Sequence, residues 1–423
     1  MTHQPVKTLN HGWSICLPFS IPVGAIPRLR ETLQETSAAQ EQDSRIPDLH
    51  RYVSDYLSGD GDCGALRLQF AWESATVELL WSGATPPEDQ APFKAIMEAV
   101  HAYIFPDGIG FLIAHVRLAA DEVTVHEFLK GNNRVRVPEQ AAVERLTEFF
   151  QQKFHGLGGE PLTDERLPTL AHVAVDSSVS PSAIMQTLQS GGDFFWPGVT
   201  GTTAETLDGG ELPDGTVALA SNLWMRASHR GALLVMSGEG GYVERKFPKR
   251  CSGRWLAVYI LALHERFALA HFGDLLRSLA TKRDTLMERF TFSGRLGRLR
   301  TKALEHTALH RLRDISPDER CQRIHGHLIE TLQVGMVEEA QDKAINALDE
   351  VAGHMYRERM GQVGMVVSAI LFPLSLMSMI LGMNIAELNP GALASLADDD
   401  VWFPMTVGYG GYLLVLGIIM FRR

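Results

Sequence analysis

The sequence predicts a mixed α+β domain, a small antiparallel sheet with flanking helices, followed by a long stalk helix and two C-terminal transmembrane helices. Three observations carry that fold class. Apolar Leu66, Leu68, Phe70 and Trp72 alternate with Arg67, Gln69 and Ala71, the period of two of a half-buried strand. After Pro317 the next proline is Pro373, so one helix can run between them. Two runs without a charged residue close the chain, Gly361 to Ala386 and Val401 to Phe421. As helices they would reach roughly 39 Å and roughly 32 Å, against a bilayer core of about 30 Å.

Within the predicted sheet, Val77, Leu79 and Trp81 continue the alternation. Tyr103-Ile104-Phe105 and Ile109 to Leu118 flank Pro106-Asp107-Gly108, the pattern of a hairpin with its turn. Pro138 to Phe154 follows as an amphipathic helix, with Ala142, Val143, Leu146, Phe149 and Phe150 on one face. Ala171 to Val175, Thr216 to Leu219 and Ala232 to Val235 read as further strands. Between them lie Ser190-Gly191-Gly192 and Gly198-Val199-Thr200-Gly201. Without Gly-x-x-x-x-Gly-Lys or a strand leading directly into a helix, these glycines read as loop chemistry, not a phosphate cradle.

From Arg254 the pattern turns helical. Trp255 to Leu263 is apolar but too short to span a bilayer, and Leu269, Phe272, Leu275, Leu276 and Leu279 continue it. Ser293-Gly294 and Gly297 break it before a helix over 299–312. Ser316-Pro317-Asp318-Glu319 is a helix start, and the helix is expected to continue to about Leu381, weakened but not stopped by Gly326, Gly335 and Gly353. The domain boundaries follow: a cytosolic α/β domain over 1–250, divisible at 160 into 1–160 and 161–250; cytosolic helices over 251–316; the stalk over 317–362. A first membrane helix over 363–385, a periplasmic loop over 386–400 and a second membrane helix over 401–421 complete the chain.

Charge sets the expected orientation. Arg357 and Arg359 precede the first apolar run and Arg422-Arg423 follow the second, which puts both ends in the cytoplasm. Met-Thr-His-Gln begins no signal peptide, and a bacterial-type inner (plasma) membrane protein with several spans is expected. The loop between the runs holds Glu387, Asp398, Asp399 and Asp400 and no base. Repeated round a ring these carboxylates would attract cations, although an outer loop can equally be acidic because bases are kept inside.

Gly382-Met383-Asn384, closing the first of two terminal apolar runs and followed by a short acidic loop and a basic C-terminus, resembles the CorA superfamily of divalent-cation (magnesium, cobalt, zinc) channels. The detailed resemblance covers about the last 70 residues, as a divergent member. It implies a homopentamer in the lipid bilayer, with the first span as the inner ring and Gly382, Met383 and Asn384 as selectivity filter. Mg²⁺ sheds its waters reluctantly, so a ring of Asn384 carboxamides would hold it through its hydration shell. Read by itself, Asn384 is also an ordinary helix end. Helical counting back from Asn384 gives a pore-lining face of Met379, Ser375, Phe372, Ser368, Met365, Gly361 and Glu358. Phe372 would be a dry gate or a packing residue, and Glu358 a pore residue or a partner for a neighbour's arginine. Where relatives carry an asparagine and a methionine at the inner end, this chain has Glu358 and Gly361.

The resemblance thus implies a homo-oligomeric channel for divalent cations, Mg²⁺ first, with a cytosolic regulatory domain. A Zn²⁺, Ni²⁺ or Co²⁺ transporter and a non-conducting membrane-anchored sensor are the alternatives. The divalent cation is the transported species and a possible regulatory ligand, and no covalent cofactor is expected.

Composition fits this picture. A formal charge of −11 over 423 residues speaks against nucleic acid as partner, and a mean hydropathy of −0.03 against a chain of many spans. Cys16, Cys63, Cys251 and Cys321 lie far apart, which excludes a local thiolate cage. Neither His-Glu-x-x-His nor Gly-x-Ser-x-Gly occurs, so no catalytic residue and no enzyme is expected. Cys321, His325 and His327 could form a local metal cluster, although only 321 and 325 share a helix face. Glu338, Glu339, Asp342, Asp349 and Glu350 could bind cations between subunits or form a solvated face.

Overall fold

Strand β1 (Thr8–Ser20) explains why the sheet is larger than the sequence suggests. Trp13, Ile15, Leu17 and Phe19 enter one core while Cys16 enters the other, so the strand is covered on both faces. The computed structural model describes residues 6–35, 39–41, 46–58, 64–79, 93–120, 122–135, 140–162, 166–179, 215–229, 231–281, 294–301, 303, 312 and 314–385. They divide into two units, 1–348 and 349–423.

The strands that follow are β2 (Ala39–Glu41), β3 (Leu66–Phe70), β4 (Ala75–Leu79), β5 (Phe93–Ile104), β6 (Ile109–Leu118), β7 (Glu160–Pro161), β8 (Thr169–Val175), β9 (Thr216–Ala220), β10 (Leu223–Ser228) and β11 (Gly231–Ser237). With β1 they form one 11-stranded sheet in the order β2-β3-β5-β6-β1-β8-β11-β10-β9, with β4 on β5 and β7 on β1. β8 and β11 run parallel, while β1, β5 and β6 pair antiparallel with their neighbours.

The small antiparallel sheet expected from sequence is therefore corrected to a large mixed one. Its central strands are apolar on both faces and lose the period-two signal that marks a half-buried strand. Strands from both sides of residue 160 share it. The hairpin is observed as read: Gly108 has φ +90°, and a Cβ there would come 2.2 Å from the Ile21 carbonyl oxygen, so only glycine fits.

Among the described residues the helices include α1 (Ile26–Glu35), α2 (Arg51–Ser58), α3 (Val125–Val135), α4 (Ala141–Phe154), α5 (Phe247–Ser252), α6 (Arg254–Thr281), α7 (Glu319–Thr331) and α8 (Val334–Ile385). On one face of the sheet Trp13 stacks on Phe128 of α3 at 4.8 Å, and Phe19 meets Phe150 and Phe154 of α4. On the other lies α6, buried through Trp255, Tyr259 and their neighbours. His264 of α6 holds the hairpin turn through Asp107 Oδ2 at 2.9 Å and stacks on Phe105 at 3.7 Å.

The stalk helix expected as one piece from Pro317 is two. Asp318 caps α7 by accepting from the Arg320 N–H at 3.0 Å, and α7 ends at Thr331. Gln333 takes a left-handed conformation, φ +55°, before α8 begins. A left-handed residue other than glycine costs roughly 1–2 kcal/mol. Arg266 of α6 offsets part of that cost by donating to the Leu332 carbonyl at the break.

Among the described residues no helix is long and apolar enough to cross a membrane. The first uncharged run is not an element of its own. It is the distal part of the 52-residue α8, whose proximal turns carry Glu338, Glu339, Asp342, Lys343, Asp349 and Glu350. The second run lies outside the described residues, as does the acidic loop. The two C-terminal transmembrane helices, and with them the location in an inner membrane with several spans, are corrected accordingly: the described chain does not support them.

Candidate functional site

The sequence-predicted residues fall into two groups. Gly382, Met383 and Asn384 form the last turn of α8, which ends one residue later at Ile385. Glu358 and Met379 lie on the same helix. Ser368, Phe372 and Ser375 are exposed together with Met365 and Gly361, so these positions of the counted face are open in the single chain. Phe372 is 66% exposed and Met365 64%. The Ser375 hydroxyl donates to the Phe372 carbonyl at 2.8 Å and so stays on the helix. Glu387, Asp398, Asp399 and Asp400 lie outside the described residues.

Cys321, His325 and His327 do not converge. His325 is buried 3.7 Å from Glu265 Oε1, while His327 Nε2 meets the Gly215 carbonyl at 2.9 Å. Among the described residues no group of three histidine, cysteine or acidic side chains is placed to hold a metal ion. Glu339 pairs with Lys343 one turn on, at 2.7 Å, as a solvated face does.

A site that sequence reading did not find lies in the first unit, in a cavity of about 540 Å³ above the middle of the sheet. Strand register assembles it. Gly12 pairs with His172 across β1 and β8, Ser14 with His115 across β1 and β6, and Ala99 with His115 across β5 and β6. His101, His115 and His172 thereby come to one face, and His11, next to Gly12 on β1, borders the cavity with its ring edge-on to Trp13 and Phe128. Gly12 makes this possible, because a Cβ there would sit 2.7 Å from His172 Cε1.

Each ring is oriented. His172 Nε2 donates to Asn10 Oδ1 at 3.3 Å, and Phe247 of α5 packs edge-on at 5.8 Å. His115 Nδ1 meets the Ser14 hydroxyl at 3.0 Å. His11 Nε2 accepts the Leu118 N–H at 3.2 Å, so its proton sits on Nδ1, facing Thr8 Oγ1 at 3.4 Å. His101 lies edge-on to His115 at 5.1 Å, and its Nδ1 is buried with no hydrogen-bond partner among the described residues.

The electrostatics are one-sided. Burial, then Arg117, lowers the His11 pKa to about 4, and burial, then Arg67, lowers that of His101 to about 4. Burial, then the neighbouring imidazoles and Arg67, lowers His115 to about 3; burial, then His11, does the same for His172. Near neutral pH all four are uncharged, with Lys249 on the rim and Arg67, over the Tyr103 ring, close to His101 and His115. The one carboxylate lining the cavity, Glu98, is held by Arg117. No family model matches the chain, and no curated protein is significantly similar to it.

Proposed function

We propose that this chain is a homo-oligomeric, CorA-like passage for divalent cations, Mg²⁺ foremost, organised round the distal part of α8. One observation supports the reading above the others. α8 stays helical from Val334 through Pro373 to Ile385, and brings Gly382-Met383-Asn384 to its end with Met365, Ser368, Phe372 and Ser375 exposed on one face. Large apolar side chains exposed in a row need cover, and further copies of the same helix supply it. Copies round an axis would bring their Asn384 carboxamides together, neutral acceptors suited to a hydrated dication. The apolar Phe372 ring would close the path when dry.

Flux into liposomes, measured metal by metal with purified protein, tests this. Mg²⁺ influx should fall to background in Asn384→Ala while the protein stays folded and assembled. Equal flux in both proteins would overturn the reading, and preference for Zn²⁺, Ni²⁺ or Co²⁺ would redirect it to a transition-metal transporter. The cavity over the sheet favours a second reading, a sensor that binds a ligand and conducts nothing. That protein would show no flux before or after substitution.

A further inference from the structure

We propose that the cavity over the middle of the sheet binds a small organic anion bearing carboxylate or phosphate groups. This goes beyond the cation reading and does not rest on it.

The cavity has the size for it. Small-molecule sites span roughly 300–1,000 Å³, and about 540 Å³ exceeds what an inorganic ion fills. Its lining is part polar and part apolar, with Ala99 and Pro248 among the imidazoles, as suits a carbon skeleton carrying a charged group. Its titratable groups come from several elements. β5 contributes Glu98 with His101, β6 contributes His115 with Arg117, β1 and β8 contribute His11 and His172, and α5 contributes Lys249, with Arg67 of β3 close to His101 and His115. Glu98 and Arg117 cancel each other. Among the described residues no carboxylate pairs with Arg67 or Lys249. Lys249 is thus the lining cation left over once Glu98 and Arg117 are paired, with Arg67 nearby, and no acidic side chain that lines the cavity is left to answer it.

The alternative occupant of a histidine-lined cavity is a transition metal. The same observations weigh against it. A dication would meet the uncompensated Lys249, and among the described residues no three ligating side chains are placed to hold a metal ion. An anion meets no such obstacle: buried N–H groups and a rim ammonium are the donors it seeks. His101, whose Nδ1 lacks a partner within the protein, has hydrogen-bonding capacity to spare.

Isothermal titration of the full-length protein with citrate, AMP, inorganic phosphate and Zn²⁺ tests the proposal. Citrate and AMP separate carboxylate from phosphate chemistry, and inorganic phosphate shows whether the skeleton contributes. At least one of the two organic anions should bind, more tightly than inorganic phosphate. Binding should weaken by about tenfold or more in His115→Gln and in Lys249→Gln. Lys249 is exposed, so its substitution leaves the fold in place and keeps the test sound should His115→Gln misfold. Three results would overturn the proposal: neither organic anion binding, binding undiminished in Lys249→Gln, or Zn²⁺ binding that His115→Gln abolishes while the anions stay silent.

Discussion

Gly12 is the residue on which the histidine cluster turns. Its missing side chain is the space that His172 occupies, with 2.7 Å between His172 Cε1 and the place of a Cβ. Gly12→Ala should push the ring off Asn10 and lower stability by about 1–3 kcal/mol, the usual cost of overpacking. Denaturant titration measures it; an unchanged midpoint would show that the ring moves without penalty. The four imidazoles also make stability depend on pH. Their folded pKa values, about 4 for His11 and His101 and about 3 for His115 and His172, lie below the unfolded value of about 6.5. Below about pH 6.5 the unfolded chain takes up protons that the folded chain refuses, so stability is whole above that pH and declines steadily towards about pH 3. Denaturant titrations across that window should show the slope. A flat profile would mean that the rings are charged in the fold.

At the level of elements, legibility from sequence followed exposure. The β5–β6 hairpin was readable because Pro106-Asp107-Gly108 is turn chemistry, and α4 because its apolar positions repeat at helical spacing. β1 was not. Asn10, His11 and Gly12 break its apolar run, Pro18 argues against a central strand, and burial on both faces removes the alternation. The cavity was hidden for a related reason. His11, His101, His115 and His172 are brought together only by the register of β1 with β6 and β8 and of β5 with β6, and spacing along the chain carries no trace of it. The break between α7 and α8 was hidden too, since it falls on Gln333 and not on a glycine or proline. Gln333→Gly should raise stability modestly, by up to about 1 kcal/mol, because glycine takes a left-handed conformation without strain. A lower denaturation midpoint would mean that the glutamine side chain itself holds the joint.

For the whole molecule, the exposed row on α8 is the feature that most needs company. Met365 and Phe372 are each more than half exposed in one chain, which is unusual for side chains of their size. If copies cover them, Phe372→Glu together with Met365→Glu should reduce the assembled mass measured by light scattering. An unchanged mass would move the interface elsewhere.

The sheet's wiring bears on how the protein is made. β8 joins β1, which begins at Thr8, to β11, which ends at Ser237. The middle of the sheet cannot close until the chain from β1 as far as Ser237 has been synthesised, and pairing over such separations is slow. While translation proceeds, β1 would wait with two oily faces bare, and a nascent chain in that state is a natural client for a holding chaperone.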